Sequence, residues 1–506
     1  MKRLHQHPNA CLFVTGALAT LALPPVDILP LIFLSLGWLG YQIAEAQTVR
    51  QAFVRGGWWA LGYFIFGLYW VSFALLINWP TFAWLLPFSI LGLPILVSAY
   101  IALMAAALFW MASKFRNPKR AAILLFPIFW TAAELLRGHL FTGFPWNIIG
   151  TTLTDFTPLF LSASVIGVYG LGFVIAATVS LWLVAPMLPR VTWMLRGCAA
   201  AILIVMAAFG AWRMAGTQPP SKTLHVRIVQ PNISEEGPHD FARRERILRT
   251  LLDLTRLPAA AAPDLIIWPE AAVPFILSEA PNVRTVIARA LPPHAILATG
   301  SIRRDEKGQL YNSIEYLDSH GDILGHYDKS HLVPFGEYMP FARYLHIRAV
   351  AEFFGDMGRG DGPETQDIAG LRVSPLICYE AIFPGEVIAD TSARPELLIN
   401  VTDDAWYGKT AGPHQHLAEA RARAVEEGIP IVRSANTGIS AAADPFGRVI
   451  NDLPFGVAGV IDVGVSLPAD AHRPPGAGGK FYFYLAGLMA VYLMGAMALI
   501  KKSRAE

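Results

Sequence analysis

Charged residues are scarce in this chain of 506 amino acids, and apolar residues are abundant. Asp, Glu, Lys and Arg together make up 15% of the sequence and hydrophobic residues 54%, whereas soluble domains carry about 25% charged residues. This deficit is typical of a membrane protein. The net charge of +2 is small, and no basic stretch is interleaved with aromatic residues, so the sequence does not indicate a nucleic-acid partner.

Cysteine is also rare, and the usual cofactor motifs are missing. Cys11 and Cys198 lie in strongly hydrophobic segments, where a thiol behaves as a small apolar side chain. Only Cys378 lies in a region of soluble character, so that region cannot form an internal disulfide. There is no phosphate-cradling glycine loop and no Cys/His cluster with metal-ligand spacing, and we therefore expect neither a cofactor nor a metal.

Long apolar runs fill the first 215 residues and return at the end of the chain. A membrane-spanning helix needs about 20 apolar residues, and the sequence predicts about eight spans, at residues 9–24, 27–46, 56–78, 83–112, 121–137, 158–187, 193–213 and 481–500. The loops on one side carry many Lys and Arg residues, whereas the short loops on the other side carry only Arg137. The positive-inside rule then predicts cytoplasmic termini and places the region between the last two spans in the periplasm of a bacterial inner membrane.

Composition changes sharply after the seventh predicted span, at the polar linker 216–221. The sequence therefore predicts three parts: a transmembrane bundle at 1–215, a periplasmic domain at 216–478, and a last transmembrane helix with a cytoplasmic tail at 479–506. In the middle part, short apolar strands alternate with helical stretches, which favours an α/β layered fold. Strands are predicted at residues 224–229, 265–268, 295–301, 313–317, 373–377, 397–401, 431–434 and 457–463, and helices at 239–257, 283–290 and 414–427.

Reactive side chains stand at the ends of apolar runs in this middle domain. Glu270 follows the run at 265–268, and Cys378 follows the run at 373–377. Lys329 lies in a polar loop, with Glu337 eight positions later. Strand ends of an α/β domain can converge on one site, and a thiol with a pKa of about 8.5 needs a base or a cation to become a nucleophile. With Glu270 as base and Lys329 as oxyanion stabiliser, the set suits acyl transfer through a thioester.

The same residues also have purely structural explanations. A lone cysteine such as Cys378 is more often an inert core residue than a nucleophile. Glu270 and Lys329 can be solvated charges, Glu337 can cap a helix, and Glu380 can belong to a structural ion pair. Spacing along the chain does not by itself prove that these side chains meet.

In combination, the motifs resemble the Glu-Lys-Cys signature of the nitrilase superfamily. The matching stretches are Trp268-Pro269-Glu270, Tyr327-Asp328-Lys329, Pro334-Phe335-Gly336-Glu337 and Ile377-Cys378-Tyr379-Glu380. The stretches 400–416 and 433–438, together with the layout of the membrane spans, are similar to one branch of that superfamily, the apolipoprotein N-acyltransferases. In that branch a nitrilase-like domain is inserted among membrane helices.

This resemblance implies a membrane α-helical bundle plus a nitrilase-like αββα sandwich. It also implies a general base, an oxyanion stabiliser and a nucleophile, which would be Glu270, Lys329 and Cys378. The auxiliary and supporting residues would be Glu337, Tyr379 and Glu380. In a ping-pong reaction, the enzyme would take an acyl chain from a phospholipid as a thioester on Cys378. It would then pass the chain to the α-amine of the diacylglyceryl-modified N-terminal cysteine of an apolipoprotein.

The implied partners are the phospholipid acyl donor, the apolipoprotein acceptor and the lipid bilayer. Two alternatives stay open: a membrane-tethered, nitrilase-like amidase that uses water as acceptor, and a transporter or scaffold without catalytic activity. The aromatic stretch at 334–354 is predicted either as an interfacial lid that gates access of the acyl chain or as a loop packed in the core.

Overall fold

The computed structural model describes residues 8–76, 83–216, 222–234, 240–334, 336–338, 357–389, 393–468 and 473–501. The chain divides into two compact units. The first unit combines Met1–Thr217 with Thr410–Ala418 and Pro475–Glu506, and the second combines Gln218–Lys409 with Glu419–Pro474. The three-part division of the sequence at residues 215 and 478 stays a prediction.

Helices make up most of the first unit and cover the outer layers of the second. In chain order, the described α-helices are α1 (Pro8–Ala19), α2 (Pro30–Ala44), α3 (Val49–Leu68), α4 (Leu93–Ala112), α5 (Pro118–His139), α6 (Thr157–Phe160), α7 (Ala163–Val184), α8 (Thr192–Ala215), α9 (Phe241–Thr255), α10 (Pro281–Ala288), α11 (Gly412–Glu427) and α12 (Phe481–Lys501). Every predicted membrane span therefore contains a helix.

Six helical segments of the described chain are long and apolar enough to cross a membrane, which supports the prediction of a membrane protein. They are Val49–Leu75, Ala83–Ala112, Pro118–His139, Ala163–Met187, Pro189–Ala215 and Phe481–Lys501. The first two predicted spans are also apolar helices, but Pro8–Ala22 and Pro30–Ala44 have at most 17 residues. A perpendicular span needs about 20, so within the described residues six of the eight predicted spans have the full length and two are shorter apolar helices.

Helices α1 and α3 approach each other backbone to backbone. A Cβ atom added to Gly16 would lie 2.0 Å from the carbonyl oxygen of Trp59. Likewise, a Cβ atom added to Gly62 would lie 2.0 Å from the carbonyl oxygen of Phe13. Small residues allow this kind of close helix packing in membrane proteins, and here no residue larger than glycine fits without a shift of one helix.

The segment Thr410–Ala418 belongs to the first unit, where buried tryptophans hold it. The Gln415 Oε1 atom accepts hydrogen bonds from Trp146 Nε1 at 3.0 Å and from Trp70 Nε1 at 3.2 Å. The two indole rings lie 4.5 Å apart, centroid to centroid. A buried indole N–H needs a hydrogen-bond partner, and one amide oxygen serves both.

Two six-stranded sheets form the centre of the second unit, with the orders β12-β1-β2-β3-β4-β5 and β11-β10-β9-β8-β7-β6. The strands are β1 (Lys222–Gln230), β2 (Leu265–Val273), β3 (Ile296–Arg304), β4 (Leu310–Leu317), β5 (Ile323–Asp328), β6 (Gln366–Ile368), β7 (Leu371–Ile377), β8 (Leu397–Thr402), β9 (Ile431–Ala435), β10 (Ser440–Ala443), β11 (Val449–Leu453) and β12 (Gly459–Leu467). Strands β1 to β3 are parallel, as are β7 to β9. Strand β5 runs in the direction of β3, because both are antiparallel to β4.

The two sheets stack face to face around a shared apolar core. That core contains inward-facing residues of both sheets, among them Val226, Ile228, Ile267, Val373, Ile399 and Val401. Successive side chains of a strand point to opposite faces, so the neighbours of these residues point outward. On the outer face of the first sheet Ile266 and Leu297 share a cluster with Leu251 of α9 and Ile287 of α10.

The outer face of the second sheet is covered in the same way. Leu376 and Leu398 point away from the shared core and pack with Ala420 and Ala424 of α11. The four layers are therefore helix, sheet, sheet and helix. This architecture confirms the predicted αββα sandwich.

Candidate active site

The carboxyl ends of strands from both sheets carry the predicted reactive residues. Glu270 lies near the end of β2, Lys329 directly follows β5, and Cys378 directly follows β7. Side chains at this edge of an α/β domain can converge on one site. The structure brings these three together, since the charges of both Glu270 and Lys329 act on the Cys378 thiol.

Lys329 lies at the centre of the group. Its side chain is 1% exposed, and its Nζ atom lies 2.8 Å from Glu337 Oε1 and 3.2 Å from Glu270 Oε1. Burial by itself lowers the pKa of Lys329, but the charges of Glu270 and Glu337 outweigh burial and hold the pKa well above its ordinary value. The ammonium group is therefore charged at neutral pH, and its two carboxylate partners compensate the loss of water.

Glu337 is the more closely bound of the two carboxylates. Its Oε2 atom accepts a hydrogen bond from the Val333 backbone N–H at 2.8 Å, while Oε1 binds Lys329. Burial raises the pKa of Glu337, but the charge of Lys329 and these hydrogen bonds bring the pKa below its ordinary value. Glu337 is therefore an ionised, fixed counter-ion of Lys329, in a position that suits the predicted auxiliary role.

Asn312 completes this cluster, although no motif marks it in the sequence. Its Nδ2 atom donates to Glu270 Oε1 at 2.8 Å and to Glu337 Oε1 at 2.9 Å. Its backbone carbonyl oxygen accepts a hydrogen bond from the Lys329 backbone N–H at 2.8 Å. The only sequence signal is an asparagine within a strand, and that signal gains meaning only when β4 is known to lie beside β5.

Cys378 occupies a strained position at the start of the short helical turn Cys378–Ile382. Its φ angle is 51°, in the left-handed region that costs a non-glycine residue roughly 1–3 kcal/mol. Burial and the charge of Glu270 raise the pKa of the Cys378 thiol, and Lys329 only partly opposes them. The resting side chain is therefore a neutral thiol, which needs a proton acceptor before it can react as a nucleophile.

Glu380 fastens the turn of Cys378 to the loop after Lys329. Its carboxylate is buried and accepts hydrogen bonds at 2.6–3.1 Å. The donors are the backbone N–H groups of Ile377, Ser330 and His331 and the hydroxyl groups of Tyr327 and Ser330. Burial raises the pKa of Glu380, and these donors oppose that shift. Glu380 therefore supports the site through the backbone on either side of it.

Strand β8 and the turn of Cys378 supply the remaining contacts. The backbone N–H of Asp403, directly after β8, donates to Glu270 Oε2 at 3.0 Å. The preceding residue, Thr402, forms a side-chain hydrogen bond with Cys378. Tyr379 is buried, and its ring lies edge-on to Phe383 with centroids 5.1 Å apart. This contact joins the turn to the residue that follows it, in keeping with a supporting role.

The aromatic stretch predicted as a lid lies mostly outside the described residues, so that prediction is not tested. The chain returns to the site at Gly360, whose N–H donates to the Lys329 carbonyl oxygen at 2.9 Å. A Cβ atom on Gly360 would lie 2.0 Å from the Asp328 carbonyl oxygen. Only glycine therefore permits this close approach of the backbone to β5.

The arrangement provides a nucleophile, a base and a cation in one buried place. The carboxylate of Glu270 can accept the proton of the Cys378 thiol. The ammonium group of Lys329 can stabilise the negative charge that develops on a carbonyl oxygen. Among the described residues, no group of three or more His, Cys, Asp or Glu side chains could hold a metal ion. The geometry suits covalent acyl chemistry on sulfur.

Two family models match the chain. The model described as "Carbon-nitrogen hydrolase" matches residues 225–469, and the model described as "Apolipoprotein N-acyltransferase N-terminal domain" matches residues 15–181. Among solved structures, a mutant of the Nesterenkonia AN1 amidase from the nitrilase superfamily is 20% identical and covers 55% of this chain and 100% of that chain, with a TM-score of 0.38.

Curated relatives match nearly the whole length of the chain. The apolipoprotein N-acyltransferase of Rhodopseudomonas palustris is 37% identical over 481 residues, covering 90% of this chain and 89% of the relative. The apolipoprotein N-acyltransferase of Brucella melitensis is 38% identical over 495 residues, covering 92% and 91%. With this identity and coverage, the chain belongs to the apolipoprotein N-acyltransferase family.

Proposed function

We propose that this protein transfers an acyl chain from a phospholipid, through a thioester on Cys378, to the α-amine of the N-terminal diacylglyceryl-cysteine of an apolipoprotein. The observation that carries the proposal is the position of Cys378 beside the Lys329 and Glu270 pair. Family membership supports the substrate classes, since the relatives are named for N-acylation of apolipoproteins.

In the first half-reaction, the Cys378 sulfur attacks the ester carbonyl carbon of the phospholipid while Glu270 takes the thiol proton. The new C–S bond leaves a negative charge on the carbonyl oxygen, and the Lys329 ammonium group stabilises it. The C–O ester bond then breaks, and the leaving oxygen receives the proton from Glu270. The products are a thioester and a lysophospholipid.

In the second half-reaction, the neutral α-amine of the apolipoprotein attacks the thioester carbonyl carbon. Glu270 accepts a proton from the nitrogen and returns it to sulfur as the C–S bond breaks. The amide is released and Cys378 becomes a thiol again. Because one nucleophile serves both half-reactions, the kinetics are ping-pong.

The hydrogen bonds of Glu270 suit this double use of one carboxylate. Its Oε1 atom is held by Lys329 and Asn312, and its Oε2 atom by the backbone of Asp403. A base fixed from both oxygens keeps one orientation through proton uptake and return. A general base must first lie within hydrogen-bonding reach of the proton that it accepts, and only then does its pKa determine how well it transfers that proton.

We further propose that the catalytic domain, at 216–478, lies in the periplasm and that both termini lie in the cytoplasm of a Gram-negative-type bacterium. The distribution of Lys and Arg in the loops supports this orientation in the inner membrane. A reporter that fluoresces only in the cytoplasm should fluoresce when fused after residue 506. The same reporter inserted in the linker at 216–221 should stay dark.

The test of the function is intact-protein mass spectrometry after incubation of the detergent-solubilised protein with a synthetic phospholipid that carries palmitoyl chains. We expect one palmitoyl adduct, lost in Cys378→Ala and retained in Cys198→Ala, because Cys198 lies on α8. A peptide with an N-terminal diacylglyceryl-cysteine should then remove the adduct and gain an amide-linked chain.

Other outcomes would contradict parts of the proposal. An unmodified Cys378 under turnover conditions would refute the thioester mechanism. If the adduct forms but is released as free fatty acid at the same rate with and without the peptide, the protein is a hydrolase. Such a result would favour the amidase-like alternative.

A further inference from the structure

Asn312 and Lys329 share the same two acceptors in a closed ring of hydrogen bonds. The Asn312 Nδ2 atom lies 2.8 Å from Glu270 Oε1 and 2.9 Å from Glu337 Oε1. The Lys329 Nζ atom lies 3.2 Å and 2.8 Å from these same oxygens. The ring thus alternates two donors with two carboxylate oxygens. One donor is charged, and the other is neutral.

The sheet determines where Asn312 lies. Asn312 pairs with Ile302 across β3 and β4, and its backbone carbonyl oxygen accepts a hydrogen bond from the backbone N–H of Lys329. The residue is only 6% exposed. Asn312 therefore holds both the backbone of Lys329 and the carboxylates that Lys329 binds, from a rigid element instead of a loop.

The orientation of the amide group is set by the two carboxylates. Among the described residues, the buried Oδ1 atom of Asn312 has no hydrogen-bond partner, which is unfavourable for a buried acceptor. A reversed amide would place that oxygen against Glu270 Oε1 and Glu337 Oε1, where three acceptors would face one another. The N–H groups must therefore point to the carboxylates, even though the oxygen stays unsatisfied.

The charges of the cluster explain why a second donor matters. Two carboxylates face one ammonium group, and like charges at short range favour uptake of a proton by one of them. Glu270 faces Lys329, Cys378 and Tyr407, and the last two are neutral at rest. Hydrogen bonds to the ionised form of a carboxylate oppose proton uptake, and Asn312 gives one such bond to each carboxylate.

We propose that Asn312 is a positioning residue that keeps Glu270 and Glu337 both ionised and prevents them from sharing a proton. Glu270 is then free to accept the proton of the Cys378 thiol. This inference rests on the proposed function, because it concerns the proton transfer that forms the thioester. Its specific consequence is that the pH below which the acylation rate falls depends on Asn312.

The test compares Asn312→Leu, which keeps the size but removes the donor, with Asn312→Asp, which keeps the shape but adds a carboxyl group. Asn451→Asp is the matched control, because Asn451 lies exposed on β11. The measurement is the initial rate of palmitoyl-adduct formation on Cys378 from pH 5 to pH 9, with the same synthetic phospholipid as acyl donor.

We expect the acidic limb of the rate profile to move up by about one pH unit or more in Asn312→Leu, the size expected when a charged group loses a hydrogen bond. Asn312→Asp should move the limb upward as well, because a third carboxyl group adds to the negative charge. Asn451→Asp should leave the limb where it is in the unchanged protein.

Three results would overturn the inference. One is a rate that falls equally at every pH in Asn312→Leu, which indicates a purely structural role. Another is a profile unchanged in both variants. If Asn312→Leu does not fold, an unmoved limb in the isosteric Asn312→Asp decides against the proposal. If the unchanged protein forms no adduct at any pH, the proposed function fails first, and that failure is distinguishable from the others.

Discussion

Removal of the Lys329 charge should destabilise the second unit strongly, because Lys329 is the cation between two buried carboxylates. The substitution Lys329→Met keeps much of the length of the side chain and removes only the ammonium group. Glu270 and Glu337, whose side chains are 10% and 16% exposed, then face each other without their cation. Asn312 is left as the shared donor.

The size of the effect follows from this burial. Removing one member of a buried ion pair typically costs about 3–5 kcal/mol, because the other charge stays buried and uncompensated. For a unit of this size, that loss corresponds to a melting temperature lower by roughly 6–20 °C. The orphaned carboxylates repel each other, and this repulsion favours the uptake of a proton by one of them. The loss of stability is then larger at pH 7.5 than at pH 5, where one carboxyl group is protonated.

The assay is the apparent melting temperature of the detergent-solubilised protein at both pH values, with Lys307→Met as control because Lys307 is exposed. The double variant Lys329→Met with Glu337→Gln removes one of the repelling charges and should melt higher than Lys329→Met at pH 7.5. If Lys329→Met melts as the control does, or if Glu337→Gln lowers its melting temperature further, the electrostatic reasoning is wrong.

Three further predictions concern the support of the site and the helical unit. The pKa of Glu337 is lowered in the folded state, so its ionised carboxylate stabilises the fold above about pH 4.3, and this contribution is lost as the pH falls below that value. Glu337→Gln should therefore flatten the acid side of a plot of melting temperature against pH. Glu380→Gln turns an acceptor into a donor that faces the Ile377 N–H or the Ser330 and His331 N–H groups, and should lower stability by about 2 kcal/mol or more together with the acylation rate. Gly16→Ala should lower the melting temperature because its Cβ meets the Trp59 carbonyl group, whereas Gly197→Ala has nothing within 4 Å and should not; equal melting temperatures would refute the close packing.

The membrane helices could be predicted from the sequence because apolar length is a local property, but their ends could not. A span was predicted at 56–78, whereas α3 begins at Val49, because the Thr48 side chain accepts the Gln51 N–H and caps the helix. The apolar run used for the prediction begins only after Arg55. In the structure Arg55 is buried within the helix, and its guanidinium group donates a hydrogen bond to the Gln42 backbone carbonyl oxygen at 2.5 Å. Caps and buried polar contacts of this kind do not appear in an apolar count.

The strands that carry long apolar runs were predicted, and those without such runs were missed. Strand β10 is Ser440–Ala443, made of small residues with little intrinsic preference for strands. Strand β11 is mostly exposed at the edge of its sheet, and the first four residues of β5 alternate between half-buried and exposed positions. Each forms because an adjacent strand offers its unpaired backbone groups, which is information that only the fold contains.

The catalytic candidates could be predicted from local sequence patterns, whereas Asn312 could not. Glu270 and Cys378 lie where apolar runs end, and a reactive group at such a boundary can be recognised from the sequence alone. Asn312 lies inside a strand, and its importance comes from two carboxylates that are 42 and 25 residues away along the chain. No local pattern encodes that meeting; it follows from the pairing of β4 with β5 and from the position of β2.

The protonation states of the site make a base-assisted thiol a better description than a free thiolate. Burial and the charge of Glu270 raise the pKa of Cys378, while the pKa of Lys329 is held well above its ordinary value. Raising the pH from 7 to 9 therefore neither creates a resting thiolate nor removes the ammonium group, and the acylation rate should stay level over that range. A rate that rises tenfold per pH unit there would instead show a solvent-ionised thiolate as the nucleophile. Glu270 would then have no proton to accept, and the role assigned to Asn312 would lose its basis.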